Sequence, residues 1–331
     1  MCANGWISFE LGAALVLGEN IGTTITANLA ALTGNVPSKR AAMAHLVFNI
    51  FGVIWVLCLF KPVTMCVSWF VEDVMKTIDP AVAVSFKLSA FHTAFNICNV
   101  LILIWFVKYG RLRIFADWKD ALQRSKMILF FKVNADIYLR TICLIAVTTY
   151  FTVASSSMPY PLLAVNTLLM QLFTLFSYFM DGFAYASESL CGRFKGANDR
   201  VNLAKCVKYI LLWGAALSIL FTAVYFFFGS DILSILTNKT DVLAVCEDYK
   251  YWTLLIPLCG SVAFLYDGIL IGMTETKLMR NAIFVATALF FALFFGFKNS
   301  LGNDALWIAF LTYLLARSVL MMILSRKKIF S

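Results

Sequence analysis

Long apolar runs separated by short polar segments dominate the sequence. Each run is about 20 residues long, which is the length that an α-helix needs to cross a bilayer and about twice that of a membrane-spanning strand. The runs lie at Leu11–Leu32, Ala42–Phe60, Ala83–Val107, Val133–Ala154, Leu162–Ala184, Val207–Phe228, Tyr251–Ile271, Asn281–Phe297 and Ala305–Leu324. This pattern predicts an all-α fold, a polytopic transmembrane helix bundle of about nine spans.

The composition agrees with a membrane protein and excludes several soluble classes. Hydrophobic residues make up 61% of the chain and charged residues 14%, and the mean hydropathy is +0.84. Soluble domains contain roughly 45–50% apolar and about 25% charged residues. A water-soluble enzyme, a disulfide scaffold and a nucleic-acid module are therefore excluded, and the expected partner is the lipid bilayer. No nucleophile–base pair, metal-ligand cluster or phosphate-binding loop is recognisable, and the nine cysteines form no C-x-x-C pair, so neither catalysis nor a metal site is expected.

Lysine and arginine are distributed unequally between the two sides of the last six runs. Seventeen of them lie in alternate loops and the tail, whereas the opposite loops hold three, Lys239, Lys250 and Lys298. Because cytoplasmic loops are enriched in Lys and Arg, the richer side is predicted to be cytoplasmic, together with the carboxyl terminus. The net charge of +9 then reflects orientation in the membrane. The amino terminus lacks a basic region, so no cleaved signal peptide is expected.

The character of the chain changes near Phe106–Arg113. Residues 1–107 contain both histidines and three irregular runs, residues 108–132 form a basic stretch, and residues 133–331 contain six regular runs. We therefore predict a first membrane region, a cytoplasmic linker and a six-helix domain.

Two polar motifs interrupt the apolar runs of the first region. Gly18–Ala27 combines two glycines, an asparagine and three threonines, and it fits either a broken helix that binds an anion and a small cation or a close-packing helix face. The motif H-x-x-F-N occurs twice, at His45–Asn49 and at His92–Asn96. Because residues i and i+4 share a helix face, each motif is expected to present its His–Asn pair to the protein interior.

Together with Lys39–His45, these motifs resemble the sodium-dependent phosphate cotransporter family over residues 1–107. The resemblance implies that the Gly18–Ala27 segment forms a sodium and phosphate site beside a Gln-Ser-Ser-Ser motif, which this sequence does not contain. The implied half-site candidates are Asn20, Thr23, Thr24, His45, Asn49, His92 and Asn96.

The remainder of the chain, from about residue 111, resembles the second lobe of the multidrug and toxin extrusion (MATE) family, in its DinF-like branch. The resemblance rests on four segments, Phe131–Thr141, Ser177–Ala186, Glu188–Asp199 and Asp267–Gly272. It implies export of amphipathic cationic compounds across a bacterial inner membrane, coupled to H⁺ or Na⁺, by alternating access between two six-helix lobes and without a cofactor. In this branch the coupling carboxylate is assigned to the first helix of the other lobe.

Three carboxylates in or near apolar runs are the transport candidates, because a charge within a span is costly and usually functional. Asp136 is expected to pair with Arg140 one helical turn away, and Asp181 to brace its helix beside Gly182. Asp267 has no base nearby in the sequence and is the best candidate for a buried coupling carboxylate. The segment from Glu188 to Asp199 is expected to form a cytoplasmic turn. Met170, Met180 and Met273 fit either a drug pocket or ordinary packing, and we favour packing.

Three accounts fit a chain that joins parts of two transporters. In the first account the chain is a fused or truncated remnant that does not transport. In the second it is a fusion that completes a pore by homodimerising, and in the third it is a membrane scaffold without a transport cycle. MATE-like export is the leading function because that resemblance covers more of the chain, and sodium-dependent phosphate symport is the alternative.

Overall fold

The computed structural model describes residues 8–32, 36–76, 80–109 and 123–330, and all regular structure in these ranges is helical. The chain divides into two compact units, Met1–Gln123 and Arg124–Ser331. Unit 1 contains α1 (Phe9–Ala31), α2 (Val36–Cys58), α3 (Phe60–Trp69), which continues as a π-helical turn (Phe70–Val74), and α4 (Pro80–Tyr109). Unit 2 contains α5 (Arg124–Ser156), α6 (Leu162–Gly196), α7 (Arg200–Leu236), α8 (Thr240–Tyr249), α9 (Tyr251–Gly272), α10 (Thr276–Leu301) and α11 (Asn303–Phe330). The all-α prediction is confirmed.

Eight helices of the described residues are long and apolar enough to cross a membrane, against the nine or so that were predicted. They correspond to the second through ninth apolar runs, and the first run forms α1, which is not among the eight. The short helices α3 and α8 were not predicted, because segments of 10 residues are too short to stand out as apolar runs. Much of the predicted linker, residues 110–122, lies outside the described residues, and from Arg124 onward the chain belongs to α5.

The Gly18–Ala27 segment does not break its helix, so of the two alternatives for this motif the broken helix is wrong. Helix α1 continues from Phe9 to Ala31. Its polar side chains bond to carbonyls of the preceding turn: the Asn20 amide donates to Val16 O at 3.0 Å, and the Thr24 hydroxyl donates to Ile21 O at 2.6 Å. These side chains are satisfied within a regular helix, so the backbone does not need to open.

Helix α9 is the central element of unit 2. Two-thirds of its apolar stretch (67%) is buried, compared with 17–50% for the other seven spans, and it packs against α6, α7, α10 and α11. Aromatic side chains pack against it, because Phe264 of α9 lies 6.2 and 6.0 Å from the ring centroids of Phe173 and Phe176 of α6. A helix that is apolar on every side is stable in lipid or in a protein core, and α9 occupies the core of unit 2.

A seam of small residues brings α6 and α9 into backbone contact. A Cβ atom added to Gly268 would overlap the carbonyl of Ala184, and one added to Gly272 would overlap the carbonyl of Glu188. One turn further, a Cβ atom on Gly192 would lie 3.2 Å from the carbonyl oxygen of Gly272. Glycines spaced four residues apart allow this approach in membrane helices. The seam places Asp267 of α9 beside the face of α6 that carries Asp181.

Helix α6 also extends further than expected. Glu188 and Gly192 lie inside the helix, which ends at Gly196, so the predicted cytoplasmic turn is restricted to the residues after Gly196. Asn198 adopts the left-handed conformation there (φ 56°), and Asp199 caps α7 by accepting a hydrogen bond from the Asn202 amide at 3.0 Å. Packing of Gly192 against α9 favours the continued helix over a turn at this point.

At the other end of unit 2, a buried polar network joins three helices. The Asn166 amide donates to Asn303 Oδ1 (2.7 Å) and to Ser155 Oγ (2.8 Å), and its own oxygen accepts from Trp307 Nε1 (2.9 Å). Buried polar groups are stable when they satisfy one another, so this network fixes the ends of α5, α6 and α11.

We expect Gly268→Ala to destabilise the protein by about 1–3 kcal/mol, because overpacking forces the two backbones apart. The matched control is Gly296→Ala, in the interior of α10, where the added methyl meets nothing within 4 Å. Removing that helical glycine should be neutral or stabilising by about 0.5–1 kcal/mol. Thermal unfolding followed by circular dichroism in detergent compares the two variants. Equal unfolding midpoints for both would show that α6 and α9 are not in backbone contact.

Candidate functional site

Asp267 lies between two arginines in the interior of unit 2. Arg317 of α11 donates from a terminal guanidinium nitrogen to Asp267 Oδ2 at 2.8 Å, and Arg140 of α5 donates to the same oxygen. The side chains of Arg317 and Asp267 are only 1% and 7% exposed, and that of Arg140 is 19% exposed. A buried carboxylate needs such partners, because an unpaired charge in a low-dielectric interior is costly. The ion pairs therefore hold α5, α9 and α11 together.

Asp181 completes this group of charges. It is half-buried on α6 and interacts electrostatically with Asp267, Arg140 and Arg317, but it has no direct ion pair among the described residues. We refer to these four residues as the charge cluster. With both carboxylates ionised, the cluster has two negative and two positive charges, so it is neutral overall. Loss of the negative charge on Asp181 leaves one net positive charge.

Several buried polar atoms of the charge cluster have no hydrogen-bond partner in the described part of the chain. They are Asp267 Oδ1 and the Nε atoms of Arg140 and Arg317. The nearby Tyr313 hydroxyl also lacks a hydrogen-bond partner among the described residues. The Arg317 guanidinium lies 5.4 Å from the Tyr313 ring centroid. Buried groups left unpaired cost free energy, and they concentrate at functional sites.

The expected Asp136–Arg140 pair does not form. Asp136 Oδ1 instead accepts from Arg280 of α10 at 2.5 Å, and its Oδ2 accepts from Thr276 at 3.1 Å. Arg140 extends to Asp267 on another helix, so Asp267, which has no base nearby in the sequence, is paired through the tertiary structure. The physical reason is that each carboxylate packs against a guanidinium group of another helix: Asp267 meets Arg140 of α5 and Arg317 of α11, whereas Asp136 lies where α10 begins and meets Arg280.

A cavity of about 330 Å³ lies between α5 and α6. Its walls combine threonine and serine hydroxyls and the amides of Asn166 and Gln171 with Phe173 and Met170, and no charged side chain lines it. Thr174 belongs to this wall, and Asp181 follows it by seven residues, so both lie on one face of α6 about 10 Å apart. Met170 thus borders a cavity, although we had favoured ordinary packing for it. Met180 and Met273 are fully buried in the apolar core, as expected for packing residues.

In unit 1 the asparagines point inward and the histidines do not. Asn49 is buried and donates to the backbone oxygen of Asn20 at 2.9 Å, whereas His45 is exposed and lies 3.3 Å from the Asn49 amide. Asn96 is half-buried and donates to the carbonyl of His92, which is exposed. The prediction that both His–Asn pairs face the interior is therefore wrong for the histidines.

The threonines of α1 divide between the two sides of the helix. Thr24 is fully buried, and Thr23 is exposed and donates to Asn20 O at 3.1 Å. Asn99, which sequence reasoning missed, is fully buried and donates to Phe48 O at 3.0 Å. Asn49 and Asn99 thus join helices to each other, whereas the threonines bond within α1. This arrangement favours the packing interpretation of the motif.

Arg317 is the functional candidate that sequence reasoning missed in unit 2. Its signal was present, because an arginine in the middle of an apolar run requires a buried acidic partner. Asp267 has no base on its own helix, and Arg317 has no acid near it on its own helix, where the one carboxylate, Asp304, lies in the first turn. Considering this acid and this base together would have identified the ion pair between Asp267 and Arg317.

A double-mutant cycle tests the charge cluster. Asp267→Asn and Arg317→Met should each destabilise the protein by about 3–5 kcal/mol, because each leaves buried charges uncompensated. The double variant keeps one guanidinium and one carboxylate, so its loss should be clearly smaller than the sum of the single losses. Chemical unfolding in detergent measures all three. In the control cycle, Arg326→Met replaces an exposed cation of α11 and should add independently to Asp267→Asn. Additive losses in both cycles would contradict the buried ion pair.

Comparison with known proteins shows which family part of unit 2 is similar to. Residues 137–295 match the MatE family model. The DNA damage-inducible protein F of Escherichia coli (strain K12) is 35% identical over 187 residues, which are 56% of this chain and 40% of that protein. The uncharacterized protein YqeW of Bacillus subtilis (strain 168) is 38% identical over 100 residues, which are 30% of this chain and 29% of that protein. The chain thus spans less than half the length of either relative.

Solved structures agree at the level of the fold. The crystal structure of the eukaryotic MATE transporter AtDTX14 has a TM-score of 0.56 and 13% identity, covering 95% of this chain and 76% of that chain. The crystal structure of MATE in complex with MaL6 has the same TM-score and 14% identity, covering 88% and 63%. MATE proteins are transporters and not enzymes. This chain therefore contains a MATE-family part, which includes residues 137–295.

Proposed function

We propose that this protein exports amphipathic cationic compounds in exchange for H⁺ or Na⁺, from the cytoplasmic side of a bacterial inner membrane. The MATE-family part and the eight candidate spans support a multi-pass membrane transporter. The distribution of Lys and Arg supports a cytoplasmic carboxyl terminus. This chain matches only part of the length of its relatives, so the complete transport activity is proposed here and is not a result of the comparison.

The observation that carries the mechanism is the contrast among the three candidate carboxylates. Asp136 and Asp267 are each held by a guanidinium group, and either would have to break an ion pair in order to bind a coupling ion. Asp181 is half-buried, lies beside the paired charges and has no ion pair in the described residues. We therefore assign the exchangeable position to Asp181, whereas Asp267 is a positioning residue.

Charge balance then explains how a coupling ion and a cationic solute exclude each other. When Asp181 is ionised, the charge cluster is neutral, and a cation in the adjacent cavity gains an acidic partner. When Asp181 binds a proton or Na⁺, the cluster becomes positive and repels that cation. The two states differ in affinity for the solute, as exchange requires.

The α5–α6 cavity fits the solute side of this cycle. Its volume of about 330 Å³ is at the lower end of ligand pockets, and its aromatic, methionine and hydroxyl groups suit amphipathic compounds. The charge of such a solute would be directed along α6 toward Asp181. Sodium-dependent phosphate symport remains a prediction from the motifs of unit 1.

Flux in proteoliposomes tests this proposal. The full chain is reconstituted, and movement of the fluorescent cation ethidium is followed under an imposed proton or sodium gradient. Gradient-dependent flux should fall at least tenfold in Asp181→Asn, because the exchangeable carboxylate is gone. Asp231→Asn removes an exposed carboxylate from α7 and should retain the wild-type rate.

Two results would reject the proposal. Equal flux in Asp181→Asn and the wild type would show that Asp181 is not the coupling residue. A protein that is folded by circular dichroism but moves no ethidium would favour the account of a non-transporting remnant. Labelled phosphate is added to the same vesicles, and its sodium-driven uptake would favour the symport alternative instead.

A further inference from the structure

Two cysteines lie level with each other on the neighbouring helices α6 and α7. Cys191 lies five residues before α6 ends at Gly196, and Cys206 lies six residues after α7 begins at Arg200. Residues 197–199 connect the two helices, and a connection of this length makes them antiparallel neighbours. Because an α-helix rises 1.5 Å per residue, each cysteine lies about 8–9 Å along its helix from this connection.

One apolar cluster takes up both side chains. Cys191 is fully buried in it, together with Leu203 and Val207 of α7. Cys206 is half-buried and packs against the same cluster, on the side of α7 that it shares with Leu203 three residues earlier. The two thiols also hydrogen-bond to each other. The level along the helices, the shared cluster and this hydrogen bond all place the two sulfur atoms together.

Ordinary packing accounts for many buried cysteines, which behave as small hydrophobic residues. Packing does not require that sulfur atoms from two helices contact each other, and this contact is the observation that points to chemistry. The two thiols also differ in access, because Cys206 is half-buried whereas Cys191 is fully buried. A search for C-x-x-C motifs does not find the pair, since its members are separated by 15 positions in the sequence.

We propose that Cys191 and Cys206 are a redox-sensitive pair that forms a disulfide when a hydroperoxide reaches Cys206. With hydrogen peroxide, the Cys206 sulfur takes one oxygen and becomes a sulfenic acid, and the other oxygen leaves as water. The Cys191 sulfur then attacks the Cys206 sulfur, the S–O bond breaks, and the released hydroxyl leaves as water with the Cys191 proton. Two thiols are oxidised by two electrons, and one peroxide is reduced to two waters.

The disulfide would join α6 to α7 covalently and reversibly. Both cysteines are free thiols in this structure, and a small thiol such as glutathione reopens a disulfide by exchange. The link lies next to Gly192, which packs against Gly272 of α9. Oxidation would therefore fasten α7 to the part of α6 that already contacts α9.

Disulfide mapping of the full chain in detergent tests this proposal. The protein is reduced, treated with hydrogen peroxide, blocked with N-ethylmaleimide and digested for mass spectrometry. We expect peptides linked through Cys191 and Cys206 in most chains, and dithiothreitol should separate them. Oxidation should also raise the thermal unfolding midpoint by several degrees, because the link restricts the unfolded chain.

Three variants separate this pair from general oxidation. In Cys206→Ala, peroxide should leave the unfolding midpoint unchanged. Cys191→Ala keeps the accessible thiol without its partner, so dimedone, which traps sulfenic acids, should label Cys206 far more in this variant than in the wild type. The matched control is Cys143→Ala/Cys259→Ala, which removes two half-buried thiols of another apolar cluster and should form the link as the wild type does.

The absence of a Cys191–Cys206 link in peroxide-treated wild type, or equally frequent links from Cys206 to other cysteines, would overturn the proposal. Equal dimedone labelling of Cys206 in Cys191→Ala and in the wild type would do the same. The mapping needs only the wild type, so it decides the question even where a variant does not fold. Because no readout depends on solute transport, the pair can fail while the proposed function stands, and the reverse also holds.

Discussion

The ion pairs of Asp267 with Arg140 and Arg317 are the constraint on which unit 2 depends. Three helices contribute these side chains, and none of the charges can remain buried without the others. The glycine seam between α6 and α9 is the geometric condition for this arrangement, because it lets α9 approach closely enough for Asp267 and Asp181 to share one environment. Apolar packing encloses the helices, and the buried charges determine which helices must be neighbours.

The proposed function follows from the charge of Asp181, which this constraint leaves without an ion pair among the described residues. Fixing Asp267 between two guanidinium groups makes it an unsuitable carrier of a coupling ion and makes the cluster sensitive to the state of Asp181. In that proposal, the uncharged cavity on the same face of α6 holds the amphipathic solute. A rigid ion pair beside one exchangeable carboxylate is a simple way to make the electrostatic potential of a pocket depend on a coupling ion.

The sequence predicts the helices well and the interactions between them poorly. Apolar runs such as Tyr251–Ile271 reproduce α9 almost residue for residue, because hydropathy is a local property. Asp136 pairs with Arg280, from which it is separated by 144 positions, and Asp267 pairs with Arg317, from which it is separated by 50 positions. Local spacing in the sequence does not reveal contacts of this kind. Local reasoning chose Arg140 for Asp136 because it is one turn away. Polar motifs such as Gly18–Ala27 were ambiguous for a related reason, since the same side chains can line a site or bond to their own helix.

An experimental structure of the full chain in lipid nanodiscs, at a resolution that shows side chains, tests the central claim most directly. The account predicts that the Asp267 carboxylate lies within hydrogen-bonding distance of both guanidinium groups, with Asp181 facing the same group of charges from α6. An Asp267 side chain that faces lipid or water, or an Arg317 that pairs with a different acid, would contradict it.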